Sequence, residues 1–250
     1  MRRLIIGTCA IFLGLAVYSI LMSSAANTIG LEGELPYYLL NKGLFAVLLL
    51  LLALALGHRD LVALNCQPRL STLAIFWPML LIALSITAGA EQPASDPRSL
   101  ILLLLIAVAV GIGEEVLFRG YVLHWASFGG VRFQIVISGI TFGAVHLLGL
   151  GSSIPAPVIL AQVFFAAALG MIFASARIRD NSLCLPIVVH ALFNFLAFRA
   201  AGGIHSTFEH PEQVIPGMLL AGTIALAWAI VLIYRAPGFR STIADQQHGG

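Results

Sequence analysis

Eight stretches of this chain are apolar for about the length that crosses a lipid bilayer, roughly 4–23, 38–56, 72–90, 99–123, 134–150, 157–176, 185–200 and 215–234. A hydrocarbon core of about 30 Å asks for about 20 apolar residues per helix. Inside lipid every backbone N–H and C=O needs an internal partner, and a helix supplies it within one segment. The expected fold is therefore all-α, a polytopic integral membrane bundle of about eight transmembrane helices. The chain is 60% hydrophobic and 10% charged. Soluble domains run nearer about 45–50% and about 25%. Its 250 residues leave no room for a second sizeable soluble domain, so 1–250 is read as one membrane-embedded domain, with its core at about 99–200.

Lysine and arginine in the flanks set orientation. With the N-terminus in the cytoplasm, Arg2, Arg3, Arg59, Arg69, Arg132, Arg177, Arg179, Arg235 and Arg240 fall on the cytoplasmic side, and Lys42, Arg98 and Arg199 on the outer side. An even number of spans returns the C-terminus to the cytoplasm. The first span follows Arg2 and Arg3 and is longer than a signal-peptide core of about 7–15 residues, so it is read as an uncleaved anchor. A net charge of +2 gives no reason to expect a nucleic-acid partner. Cys9, Cys66 and Cys184 are far apart and odd in number. They announce no disulfide framework or metal motif and are read as small apolar fillers.

Against that apolar background the segment "AVGIGEEVLFRGY", residues 109–121, places Glu114, Glu115 and Arg119 inside the fourth span. Each ionisable group at a helix centre costs about 2.5–3.5 kcal/mol on insertion scales. Such groups must face the bundle interior, pair, or line water, and by default they mark function. Glu115 and Arg119 are four apart with the acid first, the better order for an intrahelical ion pair. Glu114 is rotated about 100° from Glu115, so the two carboxylates take different roles. The fifth span carries "FGAVH", with Phe142 and His146 on one face, and the seventh carries "HALFN", with His190 and Asn194 on one face. At 1.5 Å per residue, Glu114, His146 and Asn194 lie about 15–18 Å from the cytoplasmic ends, and His190 about 9 Å. Three separate spans thus bring polar groups to one slab of the membrane. Gly139 and Gly143 make a GxxxG on the fifth span, a spacing that lets helices approach closely.

The residue types suit hydrolysis. Peptide cleavage needs an activated water, a proton donor for the leaving amine and donors for the developing oxyanion. No serine or cysteine sits beside an obvious base, and Ser138 and Thr141 are expected to bond their own backbone. A glutamate with a histidine can deprotonate water directly. Desolvation and a neighbouring acid favour protonation of a carboxyl while Arg119 favours its charged form, so one carboxylate can act as base and the other as support.

The ordered set "EEVLFR" at 114–119, "FGAVH" at 142–146 and "HALFN" at 190–194 resembles the CPBP family of intramembrane proteases, which includes CAAX prenyl endopeptidases and bacterial relatives. The resemblance implies that Glu114 activates water with His146, that His190 and Asn194 stabilise the oxyanion, and that Glu115 and Arg119 support them. It implies a membrane-associated protein or peptide as substrate, within the lipid bilayer; no cofactor is expected. The zinc alternative would use His146, His190 and Glu114 as a His2Glu set. The absence of an HExxH helix and the presence of Asn194 favour metal-free chemistry. Other functions for the same residues are a proton-coupled transporter or a non-catalytic scaffold or immunity protein. A bacterial inner membrane is the expected location.

Overall fold

The computed structural model describes residues 1–31, 33–64, 69–91 and 93–236. Among them run eight apolar helices and no strand: α1 (Arg2–Thr28), α2 (Glu34–Ala55), α3 (Leu70–Ala88), α4 (Pro97–Trp125), α5 (Gly130–Ala144, continued as a 3-10 turn to Gly151), α6 (Ala156–Asp180), α7 (Cys184–Ala200) and α8 (Pro211–Arg235). Seven are long and apolar enough to cross a membrane, and α7 is a shorter apolar helix of 17 residues. The chain is an all-α polytopic helical bundle. Each expected span has its helix, and α5 begins earlier than its apolar pattern because Arg132 and Gln134 mark its first turns.

Local chemistry sets several ends. Pro97, Pro157 and Pro211 stand in the first turns of α4, α6 and α8, where a missing N–H costs nothing. Asp96 caps α4 by accepting from the Ser99 N–H at 2.8 Å, and that bond holds its exposed carboxyl below the usual carboxylate range. Within α3 the helix tightens to a 3-10 turn over Ala74–Phe76 ahead of Pro78. Trp228 of α8 donates from Nε1 to the Ile75 carbonyl there, at 2.8 Å.

The core sits around α6, which packs against α5 on one side and α8 on the other. α4 lies between α2 and α7, and α3 lies along α7. α6 is buried continuously from Ala168 to Arg177, whereas α1 and α2 turn most of their side chains outward, as helices facing lipid do. Cys9 is free and exposed, and Cys66 lies outside the described residues. Cys184 is disulfide-bonded, which corrects its reading as a filler.

The GxxxG of α5 faces α6. A Cβ on Gly143 would lie 2.5 Å from the Val163 carbonyl oxygen, and one on Gly139 would lie 2.8 Å from that of Ala167. Gly170 answers from α6, where a Cβ would meet the Gly139 Cα at 2.9 Å. The two backbones are in contact, and no side chain fits between them. Gly143→Ala is expected to destabilise the protein by about 1–3 kcal/mol through overpacking. Thermal unfolding in detergent checks this, with Gly14→Ala as the control, because nothing lies within 4 Å of that position.

Candidate active site

α4 changes character at the motif. It is α-helical to Glu115, forms a π-turn over Val116–Val122 and returns to α at Leu123. Such turns are rare and gather at functional sites. Every residue of this one is buried. The Phe118 carbonyl accepts the Leu123 N–H within α4, and α5 adds side-chain donors: Ser138 Oγ to the Phe118 carbonyl at 3.2 Å, and Gln134 Nε2 to the Leu123 carbonyl, just past the turn, at 3.1 Å. Ser138 therefore bonds the neighbouring helix and not its own backbone, a correction to the expectation from sequence.

The expected ion pair is formed and fully enclosed. Arg119 Nη1 donates to Glu115 Oε1 at 2.9 Å, with neither side chain exposed. Arg119 Nη2 donates to the Gly170 carbonyl of α6 at 3.1 Å. The guanidinium lies over two rings, 4.4 Å from the centre of Phe142 and 5.1 Å from that of Phe173. A desolvated cation over aromatic faces gains about 2 kcal/mol or more. One cation thus joins α4, α5 and α6.

Glu115 also reaches α7. His190 Nδ1 donates to the same Oε1 at 2.8 Å. The other ring nitrogen, Nε2, stands 3.6 Å from Glu114 Oε2. One imidazole is therefore bracketed by both carboxylates, through different nitrogens. Phe173 stacks on the His190 ring at 5.1 Å and 27°. Glu115 is buried, while the Glu114 side chain keeps 20% of its surface open.

His146 lies at the end of α5, where the helix passes into its 3-10 turn. Its Nδ1 donates to the Phe142 carbonyl at 2.9 Å, which leaves Nε2 as a bare acceptor. Its ring and that of His190 both stand edge-on to Phe142, at 5.4 and 5.9 Å. Phe142 is the ring around which both histidines and Arg119 are arranged. Asn194 is half-buried one turn along α7 from His190. Glu114 has His190, and not His146, within ion-pair distance among the described residues. No three His, Cys, Asp or Glu side chains there are grouped as a metal ion would need.

Two partners carry no mark in the sequence. Gly170 contributes a backbone carbonyl and Phe173 a ring, from a span with no polar motif. Neither group titrates, and Gly170 is 51 residues from Arg119.

Residues 96–196 match the family described as Type II CAAX prenyl endopeptidase Rce1-like. This is the family that the three motifs resemble, and the match implies a membrane-embedded protease of the CAAX type. No curated protein and no solved structure matches the chain.

Arg119→Met is expected to destabilise the bundle by about 3–5 kcal/mol, because it leaves Glu115 charged and buried without its cation. Adding Glu115→Gln should recover part of the loss. Melting temperatures of the single and double variants in detergent check this.

Proposed function

We propose that the protein is an intramembrane endopeptidase that hydrolyses a peptide bond of a membrane-associated protein, with Glu114 as the base that activates water. The observation that supports this most is the His190 ring held between Glu115 on Nδ1 and Glu114 at Nε2. Only Glu114 of the two carboxylates is open enough to meet water.

The steps follow from the donors and acceptors. A water between Glu114 and His146 gives a hydrogen bond to the bare Nε2 of His146 and its proton to a Glu114 oxygen. The hydroxide oxygen attacks the scissile carbonyl carbon. The oxyanion accepts from Asn194 Nδ2 and from His190 Nε2. Glu115 already holds the Nδ1 proton of His190, so Nε2 donates only when the ring carries both protons. Arg119 neutralises Glu115 and keeps its carboxylate aimed at the ring. Glu114 then delivers its proton to the leaving nitrogen, the C–N bond breaks, and a carboxylic acid and an amine leave, the acid giving its proton to solvent. Oxyanion donors placed in advance in a dry site commonly lower the barrier of such reactions more than any other single feature.

The substrate class follows the family: prenylated CAAX tails where a host makes them, and other membrane-anchored tails where it does not. The arginine distribution supports cytoplasmic termini, and a bacterial inner membrane fits a chain of this kind. The chain acts as one domain, 1–250, with its chemistry at about 99–200, and needs no metal.

Glu114→Gln is expected to abolish cleavage of membrane-tethered peptides with an unchanged melting temperature, and full turnover in that variant would sink the assignment. Asn194→Ala should lower kcat by about 10²–10³ with binding little changed, as loss of an oxyanion donor does. Elemental analysis separates this mechanism from zinc chemistry. Active protein should carry no stoichiometric metal, and activity lost on chelation and restored by zinc would overturn the metal-free route with His146, His190 and Glu114 as ligands.

A further inference from the structure

His190 makes one hydrogen bond among the described residues, from Nδ1 to Glu115 Oε1 at 2.8 Å. Its other nitrogen stands 3.6 Å from Glu114 Oε2, beyond hydrogen-bond range. One bond fixes one atom of a ring and leaves the ring plane free to turn. The last torsion of a histidine side chain is broad and roughly twofold, so the side chain does not choose the plane by itself. A half-turn about Cβ–Cγ would put Cδ2 where Nδ1 meets Glu115, and Cε1 where Nε2 points towards Glu114. Glu115 selects between these two settings, but a flat neighbour is needed to hold the plane and to keep the ring from turning out of it.

Phe173 of α6 is that neighbour. Its ring lies 5.1 Å from the imidazole, centre to centre, at 27°, a stacked arrangement within the range aromatic pairs favour. Phe142 meets the same imidazole at 86° and so cannot lie flat against it. Phe173 also lies under the Arg119 guanidinium, at 5.1 Å. One side chain therefore touches both groups that donate to Glu115 Oε1.

Phe173 is itself held in place. Phe76 of α3 packs against it at 5.3 Å and 51°, and both rings are fully buried. Phe76 ends the 3-10 turn of α3, whose Ile75 carbonyl accepts the Trp228 bond. α3 lies outside the residues 96–196 that match the family, and the three motifs give no sign of this support.

We infer that Phe173 is a positioning residue for His190: it fixes the plane of the imidazole so that Nε2 is aimed at the oxyanion, and Phe76 braces it from α3. This role rests on the hydrolase reading for the oxyanion and on the ring geometry alone for the plane.

The test compares Phe173→Leu with Phe173→Tyr in the full chain in detergent. Three quantities are measured: turnover of a membrane-tethered peptide, melting temperature, and the nitrogen NMR signals of isotope-labelled histidine, with His190 assigned by its loss in His190→Gln. Leucine fills much of the space but has no flat face. Tyrosine keeps the ring and adds a buried hydroxyl, which costs stability. Phe173→Leu should lower kcat about a hundredfold with KM little changed, the loss that a misplacement of about 1 Å can bring, and the single Nδ1–H signal of His190 should broaden or split. Phe173→Tyr should keep most of the wild-type kcat and the His190 signal, even at a lower melting temperature. Phe76→Leu leaves Phe173 in place, so it should shift both in the same direction as Phe173→Leu and by less, and it decides if Phe173→Leu does not fold. A kcat that simply follows melting temperature across the variants would make the rings core filling and overturn the inference. So would a His190 signal unchanged in Phe173→Leu, whatever the kcat, because the ring would then act through Arg119 or not at all. If wild type cleaves no peptide, the nitrogen signals decide alone. A His190 ring freed by Phe173→Leu and held by Phe173→Tyr would keep the positioning role and reject the hydrolase reading, and a ring that stays fixed in both would reject the positioning role.

Discussion

The Arg119–Glu115 ion pair is the constraint to which the rest of the bundle answers. A guanidinium and a carboxylate at membrane depth each cost several kcal/mol to desolvate. The structure offsets that cost with specific partners: the Gly170 carbonyl, the faces of Phe142 and Phe173, and the His190 ring. Every one of these partners lies outside the helix that carries the ion pair, so the charges act as a clasp on α5, α6 and α7. The close glycine crossing of α5 and α6 is part of the same arrangement, because a Cβ on Gly170 would lie 3.2 Å from the Arg119 guanidinium.

The π-turn belongs to this logic. α4 widens just after Glu115, the Phe118 carbonyl keeps the Leu123 N–H within the helix, and Ser138 and Gln134 of α5 add donors to the Phe118 and Leu123 carbonyls. The irregular turn is thus bonded within its own helix and again from α5, as backbone must be where no water is at hand.

Division of labour between adjacent carboxylates follows from the same geometry. Glu115 faces the interior, accepts from two donors on one oxygen and is closed to solvent. Glu114, one residue earlier and a third of a turn away, is the more open of the two and faces the second nitrogen of the same imidazole. A single histidine thus links an enclosed acid to an accessible one. That difference in access is the physical basis on which we propose support for the first and proton transfer for the second.

Much of the architecture was legible in the sequence because lipid is a strict solvent. Eight apolar stretches mean eight helices, since no other backbone arrangement of single segments satisfies its own polar groups there. The ion pair of Glu115 and Arg119 follows from a spacing of four on one helix. Rise per residue also converts position into depth, and it put Glu114, His146, His190 and Asn194 in one slab between mid-membrane and the cytoplasm. It could not say which of them touch. That Glu114 stands within ion-pair distance of His190 and not of His146, and that Phe142 stands at the centre, depend on how α4, α5 and α7 are rotated against one another. The roles of Gly170 and Phe173 were invisible for the same reason: a backbone carbonyl and an apolar ring carry no local signature, and only packing gives them a partner.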